Sequence, residues 1–314
     1  MYSPYKKEDL VEKEIEDFWP GVIAYGFPTY VNGTTGLGKT NVFLKVGADA
    51  TRGIFEPGIQ DGYLTEPVRA EPIRMLYVST ENPVHEIVYP ALRYNGADDD
   101  MYKIQNEADG HFELNTEDLQ AAMDDFAPRL IIVDAFQEHL PKGYNFQDWY
   151  GMSELMQIWE HFSYKYKVAL VLIGNDSKGN EGRSDANKML GSGVIARRAR
   201  QLITVKESRQ GRYLQVTKRL GFKKKEDTKI GYRFGANERL EFYAYDGQDE
   251  DDYDDNAVVR FLRETLSTEQ LERNVLFDLA GQEGFSDKQL YDHRKEAGVE
   301  IFNQGSRKIW RLRP

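Results

Sequence analysis

The chain has 314 residues, of which 40% are hydrophobic, 12% aromatic and 30% charged, a composition typical of a soluble globular protein and not of a disordered or fibrous one. It contains no cysteine, which excludes disulfides, thiolate zinc sites and thiol catalysis. The net charge of −11 argues against a nucleic-acid partner only when it is averaged over the chain.

No apolar run reaches the ~20 residues that a membrane helix needs, and residues 1–10 lack the apolar core of a signal peptide. We therefore expect a cytoplasmic protein without a membrane partner. Residues 1–20 predict an amphipathic helix that ends at Pro20 and Gly21. Its apolar positions recur at helical spacing and are Leu10, Val11, Ile15, Phe18 and Trp19.

Residues 21–245 alternate short apolar runs with helical patterns, which predicts an α/β fold with a mainly parallel sheet covered on both faces. After Gly193 the rhythm changes to strands separated by turns, which predicts antiparallel strands that complete the sheet. Residues 246–256 form an acidic linker, because seven of the ten residues from Asp246 to Asp255 are acidic. Residues 257–314 predict a small domain of three helices and a β-ribbon, with a capping box at Ser286 and Gln289.

One motif carries specific chemistry. It matches the phosphate-binding pattern G-x-x-x-x-G-K-[ST] and lies between a predicted strand and a predicted helix. Its glycines allow backbone N–H groups to surround a phosphate, its lysine supplies a positive charge, and its final hydroxyl can bind Mg²⁺. We therefore expect ATP and Mg²⁺ to bind at Gly33, Thr34, Thr35, Gly36, Leu37, Gly38, Lys39 and Thr40.

Two carboxylates follow apolar strands at the edge where ligands collect in open α/β sheets. Asp134 ends the run Leu130–Val133 and is the expected partner of Thr40 in holding magnesium. Glu81 follows the run Met75–Ser79 and is the expected catalytic carboxylate that orients or deprotonates water.

The order of these motifs resembles the RecA-like ATPase core of the RepA/DnaB-type hexameric helicases of plasmids, phages and mobile elements. The resemblance covers roughly residues 25–242 and implies that Glu81 activates water. It also implies a γ-phosphate sensor after the fourth strand, a position that is often His or Gln and falls here on Asn175 or Asp176, of which Asn175 can hydrogen bond to a phosphate oxygen or water. A basic residue that enters the neighbouring subunit's ATP site falls at Lys218 or Arg219.

Positive charge is concentrated in one stretch. Residues 197–225 contain eleven Lys and Arg but one acid, a local charge of +10, which is typical of a surface that contacts phosphates. The polar segment Asn175–Lys188 precedes this stretch. The resemblance to hexameric helicases implies that it forms a loop that grips single-stranded DNA. Its expected DNA contacts are Lys178, Arg183 and Lys188.

The final domain resembles a winged helix. Its charge from Asp287 to Pro314 is +3, which fits either duplex DNA in a groove or a replication protein as partner. Its expected nucleic-acid contacts are Arg294, Lys295, Arg307 and Lys308.

The N-terminal helix would pack either on its own core or on the next subunit of a ring.

These observations predict an ATP-driven translocase that acts on single-stranded DNA as a homo-oligomeric ring, expected to be a hexamer, as a replicative helicase does. One alternative is a RecA-core recombination or strand-annealing ATPase with the same ATP chemistry. Another is a nucleotide-switched DNA-binding regulator or helicase loader. The whole-chain charge of −11 then confines DNA to a local surface, with affinity that falls steeply as salt is added.

Overall fold

The structure is a computed structural model that describes residues 10, 12, 14–60, 63–106, 110–146, 148–174, 193–208, 211–219, 228–235, 239–245, 257–267, 270–282, 285–304 and 307–312. The chain divides into two compact units, Met1–Asp246 and Gly247–Pro314. The acidic linker and the predicted site residues Asn175, Lys178, Arg183 and Lys188 lie outside the described residues.

The first unit is an α/β structure. Its described strands are β1 Asp17–Trp19, β2 Ile23–Ala24, β3 Thr29–Gly33, β4 Ile54–Phe55, β5 Ile59–Gln60, β6 Tyr63–Leu64, β7 Val68–Arg69, β8 Met75–Ser79, β9 Tyr102–Gln105, β10 Leu130–Asp134, β11 Ala169–Ile173, β12 Gln201–Ser208, β13 Gly211–Lys218, β14 Thr228–Phe234 and β15 Leu240–Ala244. Its described α-helices are α1 Lys39–Ala50, α2 Tyr89–Tyr94, α3 Thr116–Asp125, α4 Trp149–Tyr166 and α5 Gly193–Arg198.

Nine strands form the central sheet in the order β15-β14-β13-β12-β3-β11-β10-β8-β9. The six from β12 to β9 are parallel, whereas β13, β14 and β15 continue the sheet antiparallel. Strands β8, β10 and β11 are buried along their whole length, as expected for parallel strands covered on both faces. The predicted fold class, an α/β RecA-like core, is therefore confirmed.

Two hydrophobic cores cover the two faces of the sheet. Side chains of a strand alternate between faces, so Leu130 and Ile132 join one core while Ile131 and Val133 join the other. The first core contains the apolar side of α1, and the second contains the apolar side of α4. Burial on both faces fixes the strand register and thereby the height at which each strand ends.

The N-terminal segment differs from the prediction. Where a helix was expected to continue to residue 20, Asp17–Trp19 is a strand paired with Ile23–Ala24, so the helical prediction is wrong for these residues. The aromatic pair Phe18 and Trp19 favours extended structure, and the turn between the strands has Gly21 at φ 73°. Both aromatic side chains are buried in the first core. Trp19 also donates a 2.9 Å hydrogen bond from Nε1 to the carbonyl of Pro57.

The second unit contains α6 Ala257–Leu266, α7 Arg273–Gln282 and α8 Asp287–His293, with strands β16 Leu271–Glu272, β17 Val299–Gln304 and β18 Arg307–Leu312. The strands form an antiparallel sheet in the order β16-β18-β17. Relative to the predicted order of three helices and a ribbon, β16 is an addition. The capping box at Ser286 and Gln289 is present, and Trp310 is fully buried in this unit's core.

Candidate active site

The glycine-rich loop connects β3 to α1, and its backbone requires glycine at three positions. Gly33, Gly36 and Gly38 have φ values of 148°, 90° and 87°, a region that other residues rarely adopt. A Cβ on Gly33 would lie 2.5 Å from the carbonyl oxygen of Val205. A Cβ on Gly36 would meet no atom within 4 Å. The loop is therefore packed closely on β12 at its start and open at its middle.

The lysine and the helix N-terminus supply positive charge at this loop. Lys39 is 6% exposed, and its Nζ donates to the carbonyl oxygens of Gly33 at 2.7 Å and Thr34 at 3.1 Å. Helix α1 has no side-chain cap and no acidic residue in its first turn. Since the first N–H groups of a helix lack intrahelical partners and attract anions, this terminus suits a phosphate.

Asp134 accepts three hydrogen bonds at the carboxyl end of β10. Its Oδ2 accepts from the hydroxyl of Thr40 at 2.5 Å, the hydroxyl of Tyr77 at 3.2 Å and Nδ2 of Asn82 at 3.4 Å. Burial raises the pKa of Asp134, whereas the three donors and the charge of Lys39 lower it. The arrangement holds one carboxylate oxygen beside the last hydroxyl of the loop.

Thr40 and Asp134 fit a magnesium ion by the chemistry of their donors. Mg²⁺ prefers oxygen ligands, keeps several waters, and is commonly held by one or two protein groups together with phosphates. Among the described residues, no set of three or more His, Cys, Asp or Glu side chains is arranged to hold a metal. A site completed by phosphate and water agrees with both observations.

Glu81 lies just beyond β8, on the same edge of the sheet. Partial burial raises its pKa, and the negative charges of Asp134 and Glu138 raise it further, while Lys39 opposes them. A carboxylate with a raised pKa accepts a proton more readily near neutral pH. The position and the electrostatics both suit a general base.

Two aromatic residues that the sequence did not single out contact the loop from β14. The hydroxyl of Tyr232 donates to the carbonyl of Leu37 at 2.5 Å. The ring of Phe234 is 48% exposed, and its Cζ lies 3.9 Å from the place that a Cβ on Gly38 would take. Tyr77 and Asn82 were also missed, because their contacts with Asp134 depend on the adjacency of β8 and β10.

The two basic residues expected to reach a neighbour are far from the loop in their own protomer. Lys218 pairs with Leu202 at the level of Tyr30, near the start of β3, whereas the loop leaves at the end of that strand. Desolvation lowers the pKa of Lys218. Arg219 binds both carboxylate oxygens of Asp17. The fold thus places Lys218 and Arg219 toward the amino ends of the parallel strands, whereas the phosphate loop lies at their carboxyl ends.

The expected nucleic-acid contacts of the second unit are spread over α8 and the β-ribbon. Arg294 donates to the backbone carbonyl of Tyr291 and lies over that ring. Arg307 forms a 2.5 Å ion pair with Glu272. Lys295 and Lys308 are exposed.

A glycine-rich loop between a buried parallel strand and a helix, with an acid at the end of a second strand, defines a P-loop ATPase with a RecA-like core. The family model described as the AAA domain matches residues 9–181, more than half of the chain, and the chain belongs to this family. A search of curated proteins found no match. Within the described residues, no helix is both long enough and apolar enough to cross a membrane.

Proposed function

We propose that this chain is a DNA-dependent ATPase that assembles as a ring, a hexamer, and moves along single-stranded DNA as a replicative helicase. The observation that carries the proposal is the division of charge between the two edges of one sheet. The phosphate loop, Asp134 and Glu81 lie at the carboxyl ends of the parallel strands, here called the carboxyl edge. Lys218 lies toward the amino ends of these strands. In a ring, Lys218 of one subunit can face the phosphate loop of the next.

Hydrolysis uses the residues of the carboxyl edge. Lys39 and the N–H groups of α1 bind the β- and γ-phosphates. Glu81 accepts a proton from the attacking water, whose oxygen bonds to the γ-phosphorus as the bond to the β-γ bridging oxygen breaks. Magnesium, when bound, neutralises charge on the phosphate oxygens. The products are ADP and inorganic phosphate.

The same arrangement gives ATP a direction. The γ-phosphate end lies toward β10 and β8, because Asp134 and Glu81 are there. The nucleoside then extends toward the antiparallel side of the sheet, where Phe234 exposes its ring beside Gly38. Aromatic faces stack on nucleobases. Phe234 is therefore the proposed platform for the adenine.

The distribution of charge supports single-stranded DNA as the nucleic-acid ligand. The stretch 197–225 has a net charge of +10, and within it Arg197 and Arg200 are exposed. Arg197 also lies 5.5 Å from the centre of the Trp149 ring, and Tyr150 beside it is 84% exposed. Basic and aromatic side chains together are typical of surfaces that bind single strands.

ATP turnover tests the catalytic part of the proposal. Lys39→Ala should abolish hydrolysis, and Glu81→Gln should bind ATP but hydrolyse it about 10²-fold more slowly. The exposed residues Lys142 and Glu86 provide the matched controls Lys142→Ala and Glu86→Gln, which should turn over ATP at the wild-type rate. Normal turnover by Lys39→Ala would refute the assignment of the loop.

Electron microscopy and mass measurement with an ATP analogue and single-stranded DNA, together with strand displacement, test the assembly. Closed six-membered rings that unwind duplexes support the helicase. Filaments would favour a recombination or annealing ATPase, and a monomer or dimer specific for a duplex site would favour a regulator or loader. Affinity for single strands should fall steeply with salt, and a flat salt response would contradict the proposed surface.

For the second unit, the ion pairs favour a protein partner over duplex DNA. Arg273, Arg307 and Arg311 each pair with an acidic residue of the same unit, so much of its positive charge is locally compensated. Helix α7 also exposes Val275 and Leu279, which are 48% and 38% accessible and share one face of the helix. Charge reversal at Lys295 and Lys308 should leave duplex affinity unchanged in a filter-binding assay. A large loss of affinity would restore the DNA-binding alternative.

A further inference from the structure

A buried amide lies directly beyond Asp134. Gln137 belongs to the short helical turn Phe136–His139 that follows β10. Its Oε1 and Nε2 are both shielded from solvent, and neither has a hydrogen-bond partner among the described residues. An amide can accept two hydrogen bonds and donate two, and buried polar groups are normally satisfied. A ligand that forms these bonds is the simplest reason to retain glutamine here.

The position of the amide identifies which ligand can reach it. A Cβ on Gly174 would lie 2.7 Å from Nε2 of Gln137, so the amide occupies the space that the missing side chain leaves. Gly174 donates a 2.8 Å hydrogen bond to the carbonyl of Val31, two residues before the phosphate loop. Gln137 therefore lies where β10 and β11 end beside the strand that leads into that loop.

The same turn also carries a charge that acts on the proposed general base. Glu138, the next residue, is one of the charges that act on Glu81. Gln137 therefore follows Asp134 by three residues, packs at the end of β11 beside the strand that enters the loop, and precedes a residue whose charge acts on Glu81.

We propose that Gln137 is a catalytic residue whose amide, enclosed beside Gly174 in the nucleotide-free chain, turns outward when ATP binds and hydrogen bonds to the attacking water and the γ-phosphate. This inference rests on the proposed ATPase function. Oε1 accepts a hydrogen bond from the water while Glu81 takes the water's other proton, and Nε2 donates to a γ-phosphate oxygen. The amide loses no proton and forms no covalent bond, so it orients the water and stabilises the charge that develops on the phosphate.

Gln137→Met tests this assignment, because methionine fills a similar volume without hydrogen bonding. We expect kcat to fall about 10²-fold while the Kd for ADP stays within about twofold, and trapping of ADP with aluminium fluoride to be lost. The nucleotide-free variant should melt at a higher temperature than the wild type, since an unsatisfied buried amide has been replaced by an apolar group. Gln157→Met, at an exposed glutamine on α4, is the matched control and should behave as wild type in the nucleotide assays.

Two results would overturn the inference. One is an unchanged kcat with normal aluminium fluoride trapping. The other is a parallel fall in kcat and melting temperature, which would show that the amide supports the structure. A wild-type chain that hydrolyses no ATP under any condition would instead refute the proposed function, so the two failures are distinguishable.

Discussion

A charge cluster on and just after the helix that follows the phosphate loop makes the stability of the first unit depend on pH. Lys45 contacts the carboxylates of both Asp49 and Glu56, and Arg52 also contacts Asp49. Glu56 is only 7% exposed. Burial raises the pKa of Glu56 from 4.5 to about 8, and a hydrogen bond with Asp49 adds to the rise, whereas Lys45 opposes it.

The sign and size of the effect follow from that shift. Because the folded pKa is above the unfolded one, the folded chain retains a proton between pH 4.5 and about 8 that the unfolded chain has lost. The contribution of protonated Glu56 to the free energy of unfolding is fully present below pH 4.5. It decreases between pH 4.5 and about 8 and is lost above that pH. One proton corresponds to about 1.4 kcal/mol per pH unit, so the wild type should lose up to about 2.7 kcal/mol between pH 5.5 and 7.5.

Glu56→Gln removes the titration and mimics the protonated carboxyl, since its amide can still donate to Asp49. Urea unfolding followed by circular dichroism at pH 5.5, 6.5 and 7.5 should show that the advantage of the variant over wild type grows with pH. The exposed Glu66 provides the control Glu66→Gln, which should follow the wild type at each pH. Parallel pH profiles for wild type and Glu56→Gln would refute the reasoning.

Three other predictions concern the active site and the N-terminal strand. Glu138→Gln removes a charge that raises the pKa of Glu81, so the acidic limb of the kcat/KM profile should move to lower pH; an unmoved limb would assign it to another group. Phe234→Ala should weaken ATP binding about tenfold in calorimetry but leave tripolyphosphate binding unchanged, and equal losses for both ligands would contradict base stacking. Asp17→Ala removes the partner of Arg219 and should lower the unfolding free energy by about 1–3 kcal/mol, whereas an unchanged value would show that the pair adds nothing.

The sequence predicted features that depend on local pattern. The loop from Gly33 to Thr40 could be found because its glycines and lysine occupy fixed spacings. The end of β10 at Asp134 could be found because a strand buried on both faces is a continuous apolar run. The parallel arrangement then placed Glu81 at the same edge. The catalytic roles of these residues stay predictions.

Features that depend on which strands become neighbours could not be predicted. Tyr77 reaches Asp134 only because β8 lies beside β10. Tyr232 reaches Leu37 across 195 residues of sequence. The N-terminal error has a similar origin. The adjacent residues Phe18 and Trp19 fit one helix face in the sequence, but both are buried in the strand because segments distant in sequence cover them.

The four tryptophans are distributed so that each reports on a different part of the molecule. Trp19 and Trp159 lie in the cores on opposite faces of the central sheet, and Trp310 lies in the core of the second unit. Trp149 is 40% exposed. Single replacements by phenylalanine would therefore assign the intrinsic fluorescence to each core and to one surface site. The unlabelled protein then serves as its own probe for separating the melting of either unit from the binding of a ligand near α4.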